Sequence, residues 1–315
     1  MRCDSRKEDT TMLTRRRFVE RLVLASAAAA GTQGLHASPR TGGGSPIAVF
    51  EKVFEGLDYD ELADALERIG ADGVEATIRA NGRIKPEAAA EEVPKMQASL
   101  GKRGKRIVIA ATDVRRADEP LAAPLLKTLK ANGVSHYRMG HAYFDLDRPL
   151  KPQVADFAKQ ARDLAALNKE VGIQGLYQNH SGGKYVGALI WDAVMMLDGI
   201  DPDALGLALD TRHLIKDTGS SWRTAVAACK PHIRAIYVKD GMWFGPRGDQ
   251  YKDVPLDTGF VNAGVFREIR RGLTPVPLCI HMEWLGYRVF PKHEIPDAIK
   301  AHQRDLAALR RWLAN

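Results

Sequence analysis

The sequence has 315 residues, is 45% hydrophobic and carries a formal net charge of +7. Its length suits two ordinary domains or one barrel of about 250 residues. Residues 1–45 contain eight Lys or Arg and four Asp or Glu, so only +3 of the charge belongs to the rest of the chain. Because that remainder has no run of basic residues, we expect no nucleic-acid partner.

The stretch TRRRFVERLVLASAAAAG, residues 14–31, places arginines before a short apolar run. This order is typical of an export signal, and the run at residues 22–30 is shorter than the roughly 20 residues that cross a membrane. We therefore predict a twin-arginine (Tat) signal peptide over residues 1–37. The Tat machinery would export the chain to the periplasm or otherwise outside the cytoplasm, and no stable membrane anchor would remain after cleavage. An amphipathic first helix of the fold is the alternative, and Met12 is an alternative start.

The segment SPRTGGGSP, residues 38–46, predicts a flexible linker in front of the domain. Two cysteines follow it, Cys229 and Cys279, in apolar or helical surroundings. Such surroundings favour buried free thiols over a disulfide bridge.

From residue 47 onward, short apolar runs alternate with longer amphipathic segments. The apolar runs, which predict buried strands, cover residues 47–51, 73–78, 106–111, 135–140, 173–178, 205–210, 233–240 and 276–283. Residues 58–70, 151–172 and 293–313 have apolar side chains at helical spacing, and a glycine ends the first two segments.

Eight strands alternating with helices predict a (β/α)8 TIM barrel, an α/β fold that forms a single domain over residues 47–315. A doubly wound open sheet is the rival architecture, and it would place a glycine-rich phosphate turn after the first strand. The stretch FEKVFEGLDYD at residues 50–60 contains no such turn. We therefore also expect no nucleotide cofactor.

In a barrel of this kind the active site lies at the carboxyl ends of the strands. Nearly every predicted strand ends in a side chain that can hydrogen-bond or titrate. These residues are Glu51, Glu75, Arg79, Asp113, Arg138, His141, Gln178, Asn179, His180, Asp210, His213, Lys239, Asp240 and Glu283.

Three strand ends carry a family resemblance: LALDTRH around Asp210, IYVKDG around Lys239, and CIHMEW around Glu283. With them, the chain over residues 46–315 resembles the xylose isomerase-like TIM barrels, a superfamily of sugar isomerases, epimerases and endonuclease four. The stretch YQNHSG, followed by VGALIWD, is similar to an exported subgroup of sugar phosphate isomerase/epimerase homologues.

The resemblance implies proton transfer next to a carbonyl, often with a divalent ion held by Glu, Asp, His and Glu on strands five to eight. Asp210 and Glu283 match two of these positions, whereas Gln178 replaces the first Glu and Tyr237 replaces the His. The implied ligands of Mn²⁺, Mg²⁺ or Zn²⁺ are therefore Gln178, Asp210 and Glu283. Nearby histidines could complete the set, or the site could work without a metal.

Roles follow for the remaining candidates. Glu283, His180, Lys239 and His213 are predicted to be catalytic, and Glu75, Arg138, His141, Asn179, Asp240, Trp243 and His281 to contact the substrate. Structural alternatives stay open for several of them: Asp210 could cap a turn, Lys239 could form an ion pair, and Trp243 could belong to a packing lid.

The sequence therefore predicts an isomerase or epimerase acting on an unphosphorylated sugar or keto-sugar. A lyase or hydratase shares the first step, because the same enolate can expel a substituent. A non-catalytic sugar-binding barrel is the third hypothesis, and a homo-oligomer is compatible with all three. A nuclease would need a basic surface, which the charge of the chain after residue 45 does not supply.

Overall fold

The computed structural model describes residues 44–314. The predicted signal peptide at residues 1–37 and most of the predicted linker at residues 38–46 lie outside this range. The first strand begins at Ile47, where the sequence predicted the barrel to start. None of the helices in the described part of the chain has both the length and the apolar character needed to cross a membrane.

Eight parallel strands close into a barrel, which confirms the predicted fold class. They are Ile47–Phe50 (β1), Gly73–Ile78 (β2), Arg106–Thr112 (β3), His136–Arg138 (β4), Gln174–Gln178 (β5), Leu205–Asp210 (β6), Ile233–Val238 (β7) and Leu278–Ile280 (β10). Their order around the barrel is β1-β10-β7-β6-β5-β4-β3-β2. Closure is visible at Ala48, which is in register with Gly73 of β2 on one side and with Cys279 of β10 on the other.

The α-helices of the described residues are Tyr59–Ile69 (α1), Ala89–Gly101 (α2), Ala122–Ala131 (α3), Leu150–Val171 (α4), Trp191–Leu197 (α5), Thr211–Thr218 (α6), Trp222–Cys229 (α7), Ala263–Arg270 (α8) and Ile295–Ala314 (α9). Helix α1 begins with a capping box between Asp58 and Glu61, and it ends at Gly70 with a φ of 84°. Helix α4 ends in the same way at Gly172, with a φ of 75°. These left-handed positions suit glycine, so the predicted helix ends at both glycines are confirmed.

Strand residues alternate between two apolar clusters. Ile47 and Val49 belong to the large cluster that the strands share with the surrounding helices, whereas Ala48 and Phe50 belong to a small one. Four of the ten residues of the small cluster are alanines, and the cluster also contains Tyr237 and Cys279. Because successive strand side chains point to opposite faces, the small cluster fills the barrel interior beneath the strand ends.

Two features differ from the sequence prediction. Strands β4 and β10 contain only three residues each, so the polar residues that follow them leave the sheet at its carboxyl edge. Residues 240–251, DGMWFGPRGDQY, read as a long aromatic loop from the sequence alone. They instead contribute to an antiparallel hairpin of Asp240–Phe244 (β8) and Gln250–Val254 (β9).

Candidate active site

A cavity of about 740 Å³ opens at the carboxyl ends of the strands, within the usual size range of small-molecule sites. Its wall contains seven residues predicted from the sequence: Arg138, His141, Gln178, His180, Lys239, His281 and Glu283. Four more are buried behind the wall and contact it or one another: Glu75, Asn179, Asp210 and His213. Eleven of the thirteen predicted residues therefore converge on one region.

Lys239 lies between the carboxylates of Asp210 and Glu283. Its Nζ is 3.1 Å from Asp210 Oδ2, 2.9 Å from Glu283 Oε1 and 3.4 Å from His213 Nε2. Asp210 ends β6, Lys239 follows β7 and Glu283 lies just beyond β10, and these strands are adjacent in the barrel. The ammonium group is 4% exposed, so this ion triad is sheltered from solvent.

Asp210 has two structural roles at once. Its Oδ1 accepts a hydrogen bond from the backbone N–H of His213 and so caps α6, while Oδ2 faces Lys239. Burial acts to raise the pKa of Asp210, but the charges of Lys239 and Arg212 outweigh it and hold the pKa below its usual value. The capping alternative and the site role are therefore compatible.

Arg212 is the second cation that contacts Glu283, and sequence reasoning missed it. Its guanidinium lies 3.1 Å from Glu283 Oε2 and also pairs with Asp253 of the hairpin. Burial favours a raised pKa for Glu283, but Lys239, a hydrogen bond from His281, and Arg212 together hold it well below its usual range. Glu283 is thus an ionised carboxylate in the free protein and a weak proton acceptor until its partners move.

His213 is neutral in this setting. Burial and the adjacent cations Lys239 and Arg212 keep its pKa well below 6.5. Its Nδ1 is 2.8 Å from Ser181 Oγ, while Nε2 is 2.9 Å from an Arg212 nitrogen that can only donate. The ring therefore holds Arg212 in place, which makes a positioning role the natural one for this predicted catalytic residue.

A second ion cluster surrounds Glu75, which is fully buried. Arg138 Nε donates to Glu75 Oε1 at 2.7 Å, the Tyr237 hydroxyl donates to the same oxygen at 2.8 Å, and His281 Nε2 lies 2.6 Å from Oε2. Burial alone would raise the pKa of Glu75, but Arg138 and His281 hold it well below its usual value. The tyrosine that replaces the implied strand-seven histidine therefore serves this carboxylate.

Gln178 connects the two clusters through both ends of its amide. The oxygen accepts from Arg138 at 3.0 Å, and the nitrogen donates to Asp210 Oδ2 at 2.9 Å. The amide oxygen consequently points toward Arg138 and away from the Asp210 carboxylate. Asn179 instead exchanges hydrogen bonds with the backbone of Asp210, so it positions that strand end.

His180 has a defined tautomer. Its Nδ1 is 2.8 Å from the carbonyl oxygen of Ser181. Because a carbonyl oxygen can only accept, Nδ1 carries the proton and Nε2 carries the lone pair. Burial and the charge of Lys239 lower the pKa of His180 to about 4. The ring stacks on Tyr185 and lines the cavity, so it offers a neutral base at physiological pH.

Aromatic side chains form the opening of the cavity. Tyr143 and Tyr287 are 47% and 55% exposed and line it together with Tyr185. His141 packs edge-on against Tyr185, and its buried Nδ1 has no hydrogen-bond partner among the described residues. Flat aromatic faces beside an unpaired polar nitrogen suit a ligand that has both apolar ring faces and hydroxyl groups.

Two predicted substrate contacts have other surroundings. Asp240 accepts hydrogen bonds from the backbone N–H groups of Gly241, Thr258, Gly259 and Val261. Its side chain therefore anchors the segment after the hairpin.

Trp243 lies in β8, is 45% exposed and is not part of the cavity wall. Its ring meets Tyr251 of the neighbouring strand at 5.2 Å. The prediction failed because a hairpin, rather than a loop folded over the mouth, carries this tryptophan.

The cavity wall also holds arginines that the sequence did not single out as substrate contacts. Arg79, Arg115 and Arg212 all line it. Arg212 lies in LDTRH between Asp210 and His213, and no role was predicted for it from the sequence. Its direction could not be known without the positions of Glu283 and the hairpin, which come from distant parts of the chain.

The predicted metal ligands do not fit a divalent ion in this arrangement. Lys239 occupies the space between Asp210 and Glu283, and the oxygen of Gln178 is bound to Arg138. Among the described residues, a different group could hold a metal ion: Glu75, Cys279 and His281, whose ligand atoms lie within 4.8 Å of one another.

The donors of this second group would suit Zn²⁺. However, Glu75 is already ion-paired with Arg138 and hydrogen-bonded to His281, and burial together with Glu75 raises the pKa of the Cys279 thiol well above 9. An ion here would have to displace these hydrogen bonds and take the proton from the thiol.

The fold and this strand-end site define a class of protein, and sequence comparison agrees. The family model of the xylose isomerase-like TIM barrel matches residues 63–311. The chain therefore belongs to the xylose isomerase-like TIM barrel family. A search of curated proteins found no significant match.

Solved structures share the architecture. The apo form of the 3-keto-D-glucoside 4-epimerase YcjR from E. coli has a TM-score of 0.62 at 14% identity, covering 85% of this chain and 99% of that one. A xylose isomerase-like TIM barrel protein from Mycobacterium smegmatis in complex with magnesium has a TM-score of 0.58 at 17% identity, covering 83% and 98%. The IolI protein with a bound zinc atom has a TM-score of 0.64 at 13% identity, covering 85% and 98%. At these identities the similarity shows the fold alone.

Proposed function

We propose that this protein is an isomerase or epimerase of a sugar or keto-sugar, and that it moves a proton on a carbon next to a carbonyl. One observation carries the proposal. A single cavity brings together the lone pair of a neutral imidazole on His180, the ionised carboxylate of Glu283 and the buried ammonium of Lys239. Such a reaction needs a base at the carbon and a positive hydrogen-bond donor at the oxygen.

In the proposed reaction a base removes the C–H proton, and the electron pair moves through the carbon–carbon bond onto the carbonyl oxygen. The Lys239 ammonium would hydrogen-bond to that oxygen as it gains negative charge. Return of a proton to the opposite face of the same carbon gives the epimer. Return of a proton to the neighbouring carbon, after a proton has moved between the two oxygens of the enediol, gives the isomer. No atom is lost in either outcome.

The two proton carriers are placed to approach different sides of a substrate. His180 follows β5 and Glu283 lies just beyond β10, and these strands are three positions apart in the eight-stranded barrel. We therefore assign His180 and Glu283 as the pair. A bound substrate oxygen that attracts Lys239 would weaken its ion pair with Glu283 and make this carboxylate more basic.

The tyrosines at the cavity opening and the polar floor support a carbohydrate substrate, since sugars present both apolar faces and hydroxyl groups. Arg138, Arg212 and Arg115 each lie within 4 Å of a carboxylate. Arg79 also lines the cavity, where it contacts the hydroxyl of Tyr287 at 3.5 Å. We propose an unphosphorylated sugar, and the substrate panel should include sugar phosphates and uronates because of Arg79.

The decisive experiment is incorporation of solvent deuterium into candidate aldoses, ketoses and keto-glycosides, followed by NMR. The wild-type protein should introduce deuterium at the carbon next to the carbonyl of at least one of them. Glu283→Gln and His180→Gln should each slow this exchange by about 100-fold or more, as expected for the loss of an acid–base group.

Matched controls exist on the surface. Glu91→Gln and His293→Gln change the same residue types at positions whose side chains are 73% and 81% exposed, and they should leave the exchange rate unaltered. If no member of the panel exchanges, the proposed reaction is wrong. If exchange survives Glu283→Gln, this carboxylate is not one of the carriers.

We further propose export by the Tat route, which rests on the sequence of residues 14–31. A fusion of residues 1–45 to a reporter that requires folded export should reach the periplasm. Replacement of Arg15 and Arg16 by lysine should retain it in the cytoplasm. Export that persists in this double variant would refute the assignment.

A further inference from the structure

We propose that the Lys239 ammonium is the resident cation between Asp210 and Glu283, and that the protein binds no divalent ion at these two carboxylates. The family resemblance implied either a divalent ion here or a site that works without one, and magnesium and zinc are bound in two proteins of the same fold. The side chains of this chain supply the positive charge themselves.

The surroundings of Nζ carry the first part of the argument. Its three neighbours are two carboxylate oxygens and one imidazole nitrogen, at 2.9, 3.1 and 3.4 Å. These are ligand types that a divalent transition ion would use. Metal–ligand bonds are about 2.0–2.2 Å long, whereas the spacing around Nζ is that of an ammonium hydrogen-bonded to its partners.

The wider geometry agrees with this assignment. Among the described residues, Asp210, His213 and Glu283 are not a group whose ligand atoms all approach within 4.8 Å. The amide oxygen of Gln178 is turned toward Arg138, so it is not available to a cation beside Asp210. For an ion to bind, the ligand atoms of Asp210, His213 and Glu283 would have to move closer together and the Gln178 amide would have to rotate.

Charge balance gives an independent reason. Lys239 and Arg212 already offset all but one of the negative charges of Asp210, Glu283 and the partly exposed Asp253, and the other four side chains have exposures of 12% or less. A divalent ion added to this set would leave an excess of positive charge in a poorly solvated site. Such a charge excess is strongly unfavourable.

The ion-binding part of this inference is independent of the reaction. The further role of Lys239, polarisation of a substrate oxygen in place of a metal, rests on the proposed function. The two parts are tested by separate readouts, so that failure of one does not obscure the other.

Binding of Mn²⁺ alone to the metal-free full chain, followed by electron paramagnetic resonance of the unbound ion, tests the first part. Wild type and Asp210→Asn should give the same isotherm. Lys239→Ala, and Lys239→Met with its similar length and no charge, should gain one Mn²⁺ per chain with at least tenfold higher affinity than wild type. A second change, Asp210→Asn in the Lys239→Ala background, should abolish the gain.

Lys300→Ala is the matched control, since this lysine is 75% exposed and its removal should not create a site. Mn²⁺ binding by wild type that disappears in Asp210→Asn would overturn the inference. So would a folded Lys239→Ala variant that binds no better than wild type. Wild-type binding that survives Asp210→Asn but is lost in His281→Ala would locate an ion at Glu75 and Cys279 and leave the inference intact.

If neither Lys239 variant folds, the first part is decided by comparing the Mn²⁺ isotherm of wild type with those of Asp210→Asn and Glu283→Gln.

The second part is tested by deuterium exchange after exhaustive removal of metals. The metal-free protein should retain at least half of the wild-type exchange rate. A loss that Mn²⁺, Mg²⁺ or Zn²⁺ restores would overturn it. Absence of exchange under every condition would instead reject the proposed function and leave the Mn²⁺ result as the test of Lys239.

Discussion

Replacement of Glu75 by glutamine should destabilise the barrel more than any single surface change. Glu75 is fully buried, and Arg138, which pairs with it at 2.7 Å, is 5% exposed. The variant keeps the shape of the side chain but leaves a guanidinium without its counter-charge inside the barrel. Removal of one partner from a buried ion pair costs about 3–5 kcal/mol, a large share of a typical stability of about 5–15 kcal/mol.

A double variant gives a sharper test. In the double variant Glu75→Gln/Arg138→Met neither charge remains, so the loss should be smaller than for Glu75→Gln alone. The coupling between the two positions should be at least about 2 kcal/mol. An exposed pair supplies the control: Glu170→Gln, whose side chain is 69% exposed and lies 3.8 Å from Lys127, should cost less than about 0.5 kcal/mol.

Urea unfolding followed by circular dichroism measures all these differences. A loss of less than about 1 kcal/mol in the free energy of unfolding for Glu75→Gln would show that the Glu75–Arg138 ion pair does not govern the stability of the barrel. A double variant as unstable as the sum of the two single variants would contradict the claim that each charge is needed because the other is buried.

Three other outcomes follow from the structure. Because the pKa of His180 is lowered to about 4, the acidic limb of kcat/KM should lie near pH 4; a limb near 6.5 would show that His180 is not the base or is not desolvated. Trp243→Ala should change KM for the sugar by less than twofold. Asp240→Ala should lower the free energy of unfolding by at least about 3 kcal/mol, because four backbone N–H groups lose their acceptor. A large change in KM without a loss of stability would instead place these residues in the binding site. His302 is fully buried with a pKa lowered to about 4, so the folded state binds fewer protons than the unfolded chain between pH 6.5 and 4, and stability should fall by up to about 3 kcal/mol as the pH drops through that window. His302→Leu should remove this contribution and leave those of the other buried histidines, such as His180 and His213, and equal pH dependence of both proteins in urea unfolding would refute the point.

The sequence was sufficient for the barrel because its signals are local. Buried parallel strands appear as short apolar runs, and Gly70 and Gly172 mark helix ends through a backbone conformation that suits glycine. The rule that strand ends carry the chemistry then selected seven of the eighteen cavity-wall residues without any coordinates.

The rest of the site depends on the directions of side chains and on contacts between residues that are far apart in the sequence. No pattern in the chain shows that the Gln178 amide oxygen turns to Arg138, or that Arg212 reaches both Glu283 and Asp253. The hairpin was missed because its aromatic residues look the same in a lid as in an antiparallel strand. The predicted metal ligands were chosen without one fact of the same kind: the sequence supplied Lys239 as a strand-end residue, but not its location between two acids.

The charge of a lysine side chain is covalently attached to the protein, whereas a bound metal ion can dissociate. Metal scarcity cannot remove the Lys239 ammonium, and no competing ion of higher affinity can replace it. Its position is also set during folding rather than by a later loading event. A protein with this arrangement keeps the electrostatics of its site unchanged wherever the concentrations of free ions vary.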